Sequence, residues 1–233
     1  MSSSLVIIDY EDVASSKVDL SFHLERAFGS SGLGVVAIRG VPGFLDAKQK
    51  LLPKAHTLAH LDKDYLEKEL SDPRSFYNAG WSHGKEKLGD EPDFAKASYY
   101  FNPLSDKPGT DEEREQYPAS YPCNKWPNEI EVPQLKDFKD SAKHLGSIMH
   151  QVVILLAKHI DTMAAAKVKG YTKDLLYNAM KETEKAKGRL LYYYPLEEKK
   201  EGDDKSASKK EDTWIGWKVR VSIVLLCELV CLI

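Results

Sequence analysis

The hydrophobic pattern of the first seventy residues predicts the order strand, helix, strand, helix. Residues 5–10 are a short β-branched run of the kind found in buried strands. Apolar positions at helical spacing predict a helix over 20–28 that ends at a glycine, and 35–38 predict a second buried strand. Residues 45–70 favour helix, although Pro53 must either kink that helix or begin a new one.

The middle of the chain, residues 71–133, is rich in Pro, Gly, Tyr and Trp and shows little periodicity. It contains Tyr-Tyr-Phe-Asn-Pro at 99–103 and Asn-Lys-Trp-Pro at 124–127. Because aromatic residues are too abundant for a disordered tract, we expect a long ordered segment that runs over a core.

A helical pattern returns at Leu135, where apolar residues mark one face of a long helix through Met163. A second helix is predicted over 173–185, with Thr172 as its N-cap. The aromatic run 189–195 then predicts a strand.

The last forty residues change character three times. Residues 197–212 contain seven acids and five lysines and almost nothing apolar, which predicts a solvated loop. Residues 213–217 are strand-like, and 221–233 form an apolar run interrupted by Ser222 and Glu228.

Composition narrows the class of protein. The 233 residues carry a formal net charge of −3 and are 42% hydrophobic, which fits a globular core and not a disordered or repetitive chain. A near-neutral balance without a dense basic block makes nucleic acid an unexpected partner. The start of the chain lacks a secretory pattern, and three cysteines are too few for a disulfide framework or a zinc site. We therefore expect a cytoplasmic protein.

In the order of its features, the chain resembles the isopenicillin N synthase-like family of 2-oxoglutarate/Fe(II)-dependent oxygenases. The resemblance covers about residues 5–217. It rests on the pair Ile8-Asp9, a Gly-Val-Pro turn at 40–42, the Asn-x-Trp-Pro element at 124–127, the long helix and Tyr193-Tyr194-Pro195.

The resemblance implies a definite chemistry. Such oxygenases hold Fe(II) with two His and one carboxylate, leaving open positions for 2-oxoglutarate and O₂. Two ligands come from a His-x-Asp pair on a strand, where residues i and i+2 face the same side. The resemblance also assigns Tyr194 to cofactor binding, as a contact of the oxoacid carboxylate. Packing of the three tyrosines is the competing interpretation, since Tyr192 stands where the family has Asn.

The residues at the expected ligand positions do not suit iron. After the lead-in Trp-Ile-Gly-Trp at 214–217, Lys218 and Arg220 stand where His and Asp are expected, and no second His follows. We therefore expect no catalytic and no metal-ligating residue in this chain. We also expect it to bind neither Fe(II) nor 2-oxoglutarate, the cofactors of the family.

Two other histidine patterns have spacings found in metal sites. His159-Ile160-Asp161 reads His-x-Asp, but within a helix the two side chains point about 200° apart and cannot share a metal. His56 and His60 are four residues apart on a predicted helix, which suits zinc. Without a third ligand nearby, we expect partly buried or surface histidines there. The tryptophans at 81, 126, 214 and 217 are expected to pack in a core or an interface.

The tail 218–233 allows two explanations. Its sequence could derive from a foreign reading frame, because the change in composition falls where the family motif is expected to begin. Alternatively it could anchor the chain in a membrane, but a spanning helix needs roughly 20 apolar residues, and Glu228 interrupts this shorter run.

Together these observations predict an α+β protein with an incomplete double-stranded β-helix, or jelly roll. The expected regions are an N-terminal dioxygenase-like region at 1–134, long packing helices at 135–186, first jelly-roll strands at 187–217 and an aberrant apolar tail at 218–233. The expected function is that of an inactive relative of enzymes that oxidise a small organic substrate. The alternative is a non-catalytic binding module that retains the N-terminal scaffold. Exposed apolar surface and strand edges are expected to cause self-association.

Overall fold

The computed structural model describes residues 4–195 and 230–232, which form a mixed helix-and-sheet fold. Two three-stranded sheets, one parallel and one antiparallel, account for most of the strands. In chain order the elements are β1 (Val6–Asp9), α1 (Tyr10–Ala14), α2 (Ser21–Phe28), β2 (Val36–Arg39), α3 (Phe44–Ala59), α4 (Lys63–Tyr65), β3 (Gly80–His83), β4 (Lys87–Leu88), β5 (Glu91–Pro92), β6 (Lys96–Phe101), α5 (Asp111–Gln116), α6 (Phe138–Lys167), α7 (Leu175–Glu182), β7 (Gly188–Tyr193) and β8 (Val230–Leu232). A π-helical turn (Leu66–Leu70) and two 3₁₀ turns (Pro73–Ser75 and Pro133–Leu135) complete them.

The parallel sheet has the order β1-β2-β8. Val6 of β1 lies opposite Val36 of β2, and the β8 backbone pairs with the other edge of β2. Parallel neighbours need a crossover connection, which α1 and α2 supply between β1 and β2. The prediction of two N-terminal strands is confirmed, whereas β8 is a strand that the apolar pattern of the tail did not predict.

The antiparallel sheet has the order β3-β6-β7, with β6 in the centre. Trp81, Tyr99 and Leu190 occupy one row across the three strands, and all three are buried. The order expected for 71–133 is confirmed, but because β3 and β6 both lie there, the region does not merely pass over a core. Its aromatic residues build the central strand and part of the core itself.

The helix α6 contributes a long buried face to the core. Its buried face carries Phe138, Leu145, Val152 and Leu156, and Phe138 packs edge-to-face on Tyr99 of β6 with ring centroids 5.3 Å apart. The helix α3 packs against α6 and continues through Pro53 as one element. The long amphipathic helix predicted from 135 to 163 is thus confirmed, with bounds shifted to Phe138–Lys167.

The helix α7 is shorter than predicted and has a different N-terminal partner. It begins at Leu175, so Thr172 is not its N-cap. The carboxylate of the buried Asp161 on α6 instead accepts hydrogen bonds from the backbone N–H groups of Leu176 and Tyr177 at 3.0 and 2.8 Å. An acceptor from a neighbouring helix thus takes the place of a local cap.

Most residues after Pro195 lie outside the part of the chain that the structure describes. The charged loop 197–212, the strand-like 213–217, Trp214, Trp217, Lys218 and Arg220 all lie there. Among the described residues, no helix is both long and apolar enough to cross a bilayer.

Candidate functional site

The strand β7 ends in a group of rings that we call the aromatic–histidine cluster: His56, His60, His83, Tyr192 and Tyr194. Two successive turns of α3 present His56 and His60, whose rings stack with centroids 4.1 Å apart. The buried Tyr192 ring meets both histidines edge-on, at 5.5 and 5.3 Å. The His83 ring from β3 lies 4.9 Å from that of Tyr194.

Tyr194 is the residue to which the sequence resemblance assigned a cofactor contact. Its hydroxyl donates a hydrogen bond to the backbone carbonyl of Ala59 at 3.1 Å, and its backbone N–H donates to Ala95 at 2.9 Å. Burial, and next the neighbouring Tyr192, raise the pKa of the Tyr194 phenol, so it remains a neutral donor near pH 7. The side chain is therefore half-buried and already bonded to α3.

Two histidines of the cluster contact backbone carbonyls. His60 Nδ1 lies 2.7 Å from the carbonyl oxygen of His56, and His83 Nε2 lies 3.1 Å from that of Phe94. Within residues 4–195 and 230–232, no group of three or more His, Cys, Asp or Glu side chains is arranged to hold a metal ion. The described residues do not by themselves make an iron site.

The His-x-Asp sequence in α6 has two separate structural roles. His159 Nε2 lies 2.9 Å from the carbonyl oxygen of Val13, whereas Asp161 binds the N-terminus of α7 and accepts the hydroxyl of Tyr171 at 2.6 Å. The two side chains thus contact different elements, α1 and α7. This is the divergence that helical geometry predicts for residues i and i+2.

A polar network on the other face of the antiparallel sheet was not predicted. Glu86 accepts hydrogen bonds from the Tyr100 hydroxyl at 2.6 Å and from Arg189 at 2.7 Å, and its second oxygen lies 3.0 Å from Lys96 Nζ. Burial alone would raise the pKa of the Glu86 carboxyl, but the bonds from Tyr100 and Lys96 and the charge of Arg189 lower it to about 2.

Because side chains alternate along a strand, the three-residue spacing of Arg189 and Tyr192 predicts that they lie on opposite faces of β7. Nothing in the sequence points to Glu86, which lies 103 residues from Arg189.

The Asn-x-Trp-Pro element forms a second polar centre, around Asp106. Asn124 Nδ2 and Trp126 Nε1 each donate to Asp106 Oδ1 at 2.9 Å, and Lys139 of α6 pairs with the same carboxylate at 2.7 Å. Asn124 also exchanges two 2.7 Å hydrogen bonds with the backbone of Asn102. The motif thus fastens the segment after β6 to the start of α6.

Comparison with solved structures relates this arrangement to a known fold. A putative 2OG-Fe(II) oxygenase family protein from Caulobacter crescentus matches 84% of the chain with a TM-score of 0.61 and 16% identity, over 58% of its own length. A full-length Neurospora crassa protein in complex with alpha-KG matches 81% of the chain with a TM-score of 0.55 and 20% identity, over 54% of its length. JOX2 in complex with 2OG, Fe and JA matches 81% with a TM-score of 0.51 and 17% identity, over 48% of its length.

These similarities define the class of fold. The chain shares the fold of the 2-oxoglutarate/Fe(II) oxygenases, which confirms at the level of the fold the relationship that the sequence resemblance implied. The chain spans about half the length of these solved relatives. No protein-family model matches the sequence, and no curated protein matches it at a significant level.

Proposed function

We propose that this chain carries the N-terminal region and the first jelly-roll strands of a 2-oxoglutarate/Fe(II)-dependent oxygenase. The observation that carries the proposal is the sheet β3-β6-β7 packed on α6, in a fold shared with oxygenases of this class. The regions proposed from the sequence are an N-terminal dioxygenase-like region at 1–134, long packing helices at 135–186 and first jelly-roll strands at 187–217. The family reaction couples decarboxylation of 2-oxoglutarate to oxidation of a small organic substrate.

We further propose that the 233-residue chain does not catalyse this reaction by itself. Lys218 and Arg220 stand where the resemblance places His and Asp, and two cations cannot replace an imidazole and a carboxylate as ligands of Fe(II). The hydrogen bond from Tyr194 to Ala59 supports a packing role for that tyrosine in this chain.

Oxygen consumption and succinate release test the proposed inactivity. The purified chain is incubated with Fe(II), 2-oxoglutarate and ascorbate, and both rates are compared with those of the same mixture without protein. We expect equal rates. Protein-dependent succinate release that is abolished by a chelator would contradict the proposal, and Tyr194→Phe would then report whether the phenol contacts the oxoacid, through a raised KM for 2-oxoglutarate.

The alternative function is a non-catalytic binding module built on the same scaffold. A specific observation supports it: residues 4–195 contain a continuous buried core and a cleft lined by their own side chains. The two proposals differ in what they require of the chain, because a binding module must bind a ligand in the absence of Fe(II) and 2-oxoglutarate. Ligand binding without added iron therefore favours the module.

A further inference from the structure

A cleft of about 310 Å³ opens at the end of the antiparallel sheet opposite Tyr194. Phe101, at the end of β6, and Lys187, just before β7, lie in its wall, and α6 and α7 contribute His150 and Met180. Six residues of β7 separate this end from Tyr194, which corresponds to about 20 Å along a strand. The cleft is therefore separate from the aromatic–histidine cluster.

The charged groups in the wall of the cleft are cations. Lys187 Nζ donates to the neutral amide oxygen of Asn78 at 2.5 Å and lies 4.4 Å from the centre of the Tyr100 ring. Lys185 Nζ lies 3.4 Å from the centre of the Tyr121 ring. Amide and aromatic groups stabilise an ammonium, but they do not neutralise its charge.

The carboxylates near the two lysines each have other partners; Glu113, whose charge acts on Lys185, accepts the backbone N–H of Thr110 at 2.9 Å. Glu86 is held by Arg189, Lys96 and Tyr100, and Glu184 Oε2 accepts the backbone N–H of Gly109 at 2.9 Å. Burial, and next the charge of Arg189, lower the pKa of the Lys187 ammonium against the opposing effect of Glu86. An anion in the cleft would offset both of these costs.

The rest of the wall is largely apolar and held in place by its own contacts. Phe101, Val153 and Met180 face the cleft together with several alanine and proline side chains. His150 is buried, and its Nε2 lies 2.8 Å from the carbonyl oxygen of Met180, which ties the end of α7 to α6. The volume is at the lower end of the range of about 300–1,000 Å³ that is typical of small-molecule sites.

We propose that this cleft binds a small organic anion, with its carboxylate at Lys187 and Lys185 and its apolar body against Phe101 and Met180. The site is independent of iron and lies outside the region to which the oxygenase resemblance assigns the oxoacid. Charge selects the ligand at one end, and the apolar wall favours a carboxylate that carries a compact hydrocarbon group over a fully hydrated anion such as inorganic phosphate.

Fluorine NMR of the full chain tests the proposal with 4-fluorobenzoate as the probe and 4-fluorobenzamide as its neutral counterpart. We expect saturable broadening of the benzoate resonance that excess unlabelled benzoate reverses, and at least tenfold weaker binding of the benzamide. Inorganic phosphate should compete weakly. Equal binding of both fluorinated probes would overturn the assignment of Lys187 and Lys185 as the anchor.

Variants link the binding to the cleft. Lys187→Gln should weaken benzoate binding at least tenfold and Lys187→Arg should largely restore it, whereas Lys48→Gln, at an exposed position of α3, should leave it unchanged. If Lys187→Gln reduces stability, Ala119→Phe offers a second variant, because it fills the rim of the cleft at a partly exposed position. Unaltered binding in a folded Lys187→Gln or Ala119→Phe protein would place the probe elsewhere and refute the proposal.

Discussion

Asp161 shows how much a single side chain contributes to the packing of α7 on α6. Its two oxygens accept three hydrogen bonds, from the Tyr171 hydroxyl and from two backbone N–H groups at the start of α7. The side chain is 3% exposed, so water does not replace these bonds when they are lost. The carboxylate thus joins α6 to the start of α7, while His150 contacts Met180 near the end of α7.

Asp161→Asn should destabilise the chain by about 1–3 kcal/mol. The amide NH₂ of Asn would face a backbone N–H group from which the carboxylate of Asp161 accepts a hydrogen bond in the original chain. Thermal or urea unfolding followed by circular dichroism measures the loss. Asp174→Asn is the matched control, since Asp174 precedes α7 in a left-handed conformation that Asn tolerates and makes no side-chain cap bond. Equal stability of the two variants would show that Asp161 does not act as the cap.

Gly146 is a second residue whose contribution to stability depends on a neighbour, because Pro103 packs directly against it. A Cβ at this position of α6 would lie 2.8 Å from Pro103 Cγ and still closer to Pro103 Cβ. The usual gain of about 1 kcal/mol for Gly→Ala in a helix should therefore be reversed.

We expect Gly146→Ala to lower the free energy of unfolding by about 1–3 kcal/mol through overpacking. Ser147→Ala, one position further along α6 and exposed, should change it by less than about 0.5 kcal/mol. Denaturant unfolding of both variants under the same conditions gives the comparison. A stabilised Gly146→Ala protein would mean that Pro103 moves aside without cost.

At the scale of elements, the Asp106 centre connects three segments that are distant in sequence. Asp106 follows β6, Asn124 and Trp126 belong to the segment before α6, and Lys139 and Lys143 lie in the first turns of α6. Burial alone would raise the pKa of the Asp106 carboxyl. The bonds from Lys139, Asn124 and Trp126 and the charge of Lys143 outweigh it, so the pKa lies well below its usual range.

This lowered pKa predicts a loss of stability in acid. The contribution of Asp106 is present above the pKa of the unfolded chain, about 3.9, and declines as the pH falls toward the lower folded-state value. Asp106→Asn should lower stability at pH 7 by about 1 kcal/mol, allowing for screening of a carboxylate that is one-third exposed, and should flatten the decline below about pH 4.

Unfolding midpoints between pH 2 and pH 7 measure both effects. Asp90→Asn, at an exposed position in the turn between β4 and β5, is the matched control and should retain the acid sensitivity of the original chain. If Asp106→Asn loses stability at low pH as steeply as the original chain, other carboxylates cause that loss. Glu86 is the first candidate.

At the scale of the whole molecule, β7 is an edge strand of the antiparallel sheet within the part of the chain that the structure describes. Among the described residues, β7 pairs with β6 alone, and Tyr193 on that edge strand is 37% exposed. Phe22, Phe76 and Ile130 add large exposed apolar side chains elsewhere. Unpaired strand edges are templates for association with another chain.

We expect the purified chain to self-associate, with an average mass by light scattering that rises with concentration. Tyr193→Lys should reduce this association severalfold, because a charge on an edge strand disfavours pairing. Tyr117→Lys, at a similarly exposed tyrosine outside the sheets, should not. A monomer at all concentrations would contradict the prediction.

Part of the candidate site could be predicted from the sequence. The aromatic strand that contains Tyr192 and the shared helical face of His56 and His60 follow from local periodicity, and both are confirmed, with Tyr194 one residue beyond the end of the strand. The contact of His83 with Tyr194 could not be predicted, because it depends on pairing β3 with β6 and β6 with β7 across about a hundred residues.

The sequence by itself determined the N-terminal strands, the end of α2 at Gly29, the amphipathic α6 and the strand β7, because each depends on propensities and spacings within one segment. Only the tertiary structure decided that 71–133 supplies the central strand, that Asp161 replaces Thr172 at α7, and that Lys187 lines a cleft. Those features arise from hydrogen bonds and packing between distant segments, and the geometry of such contacts is fixed only when the chain folds.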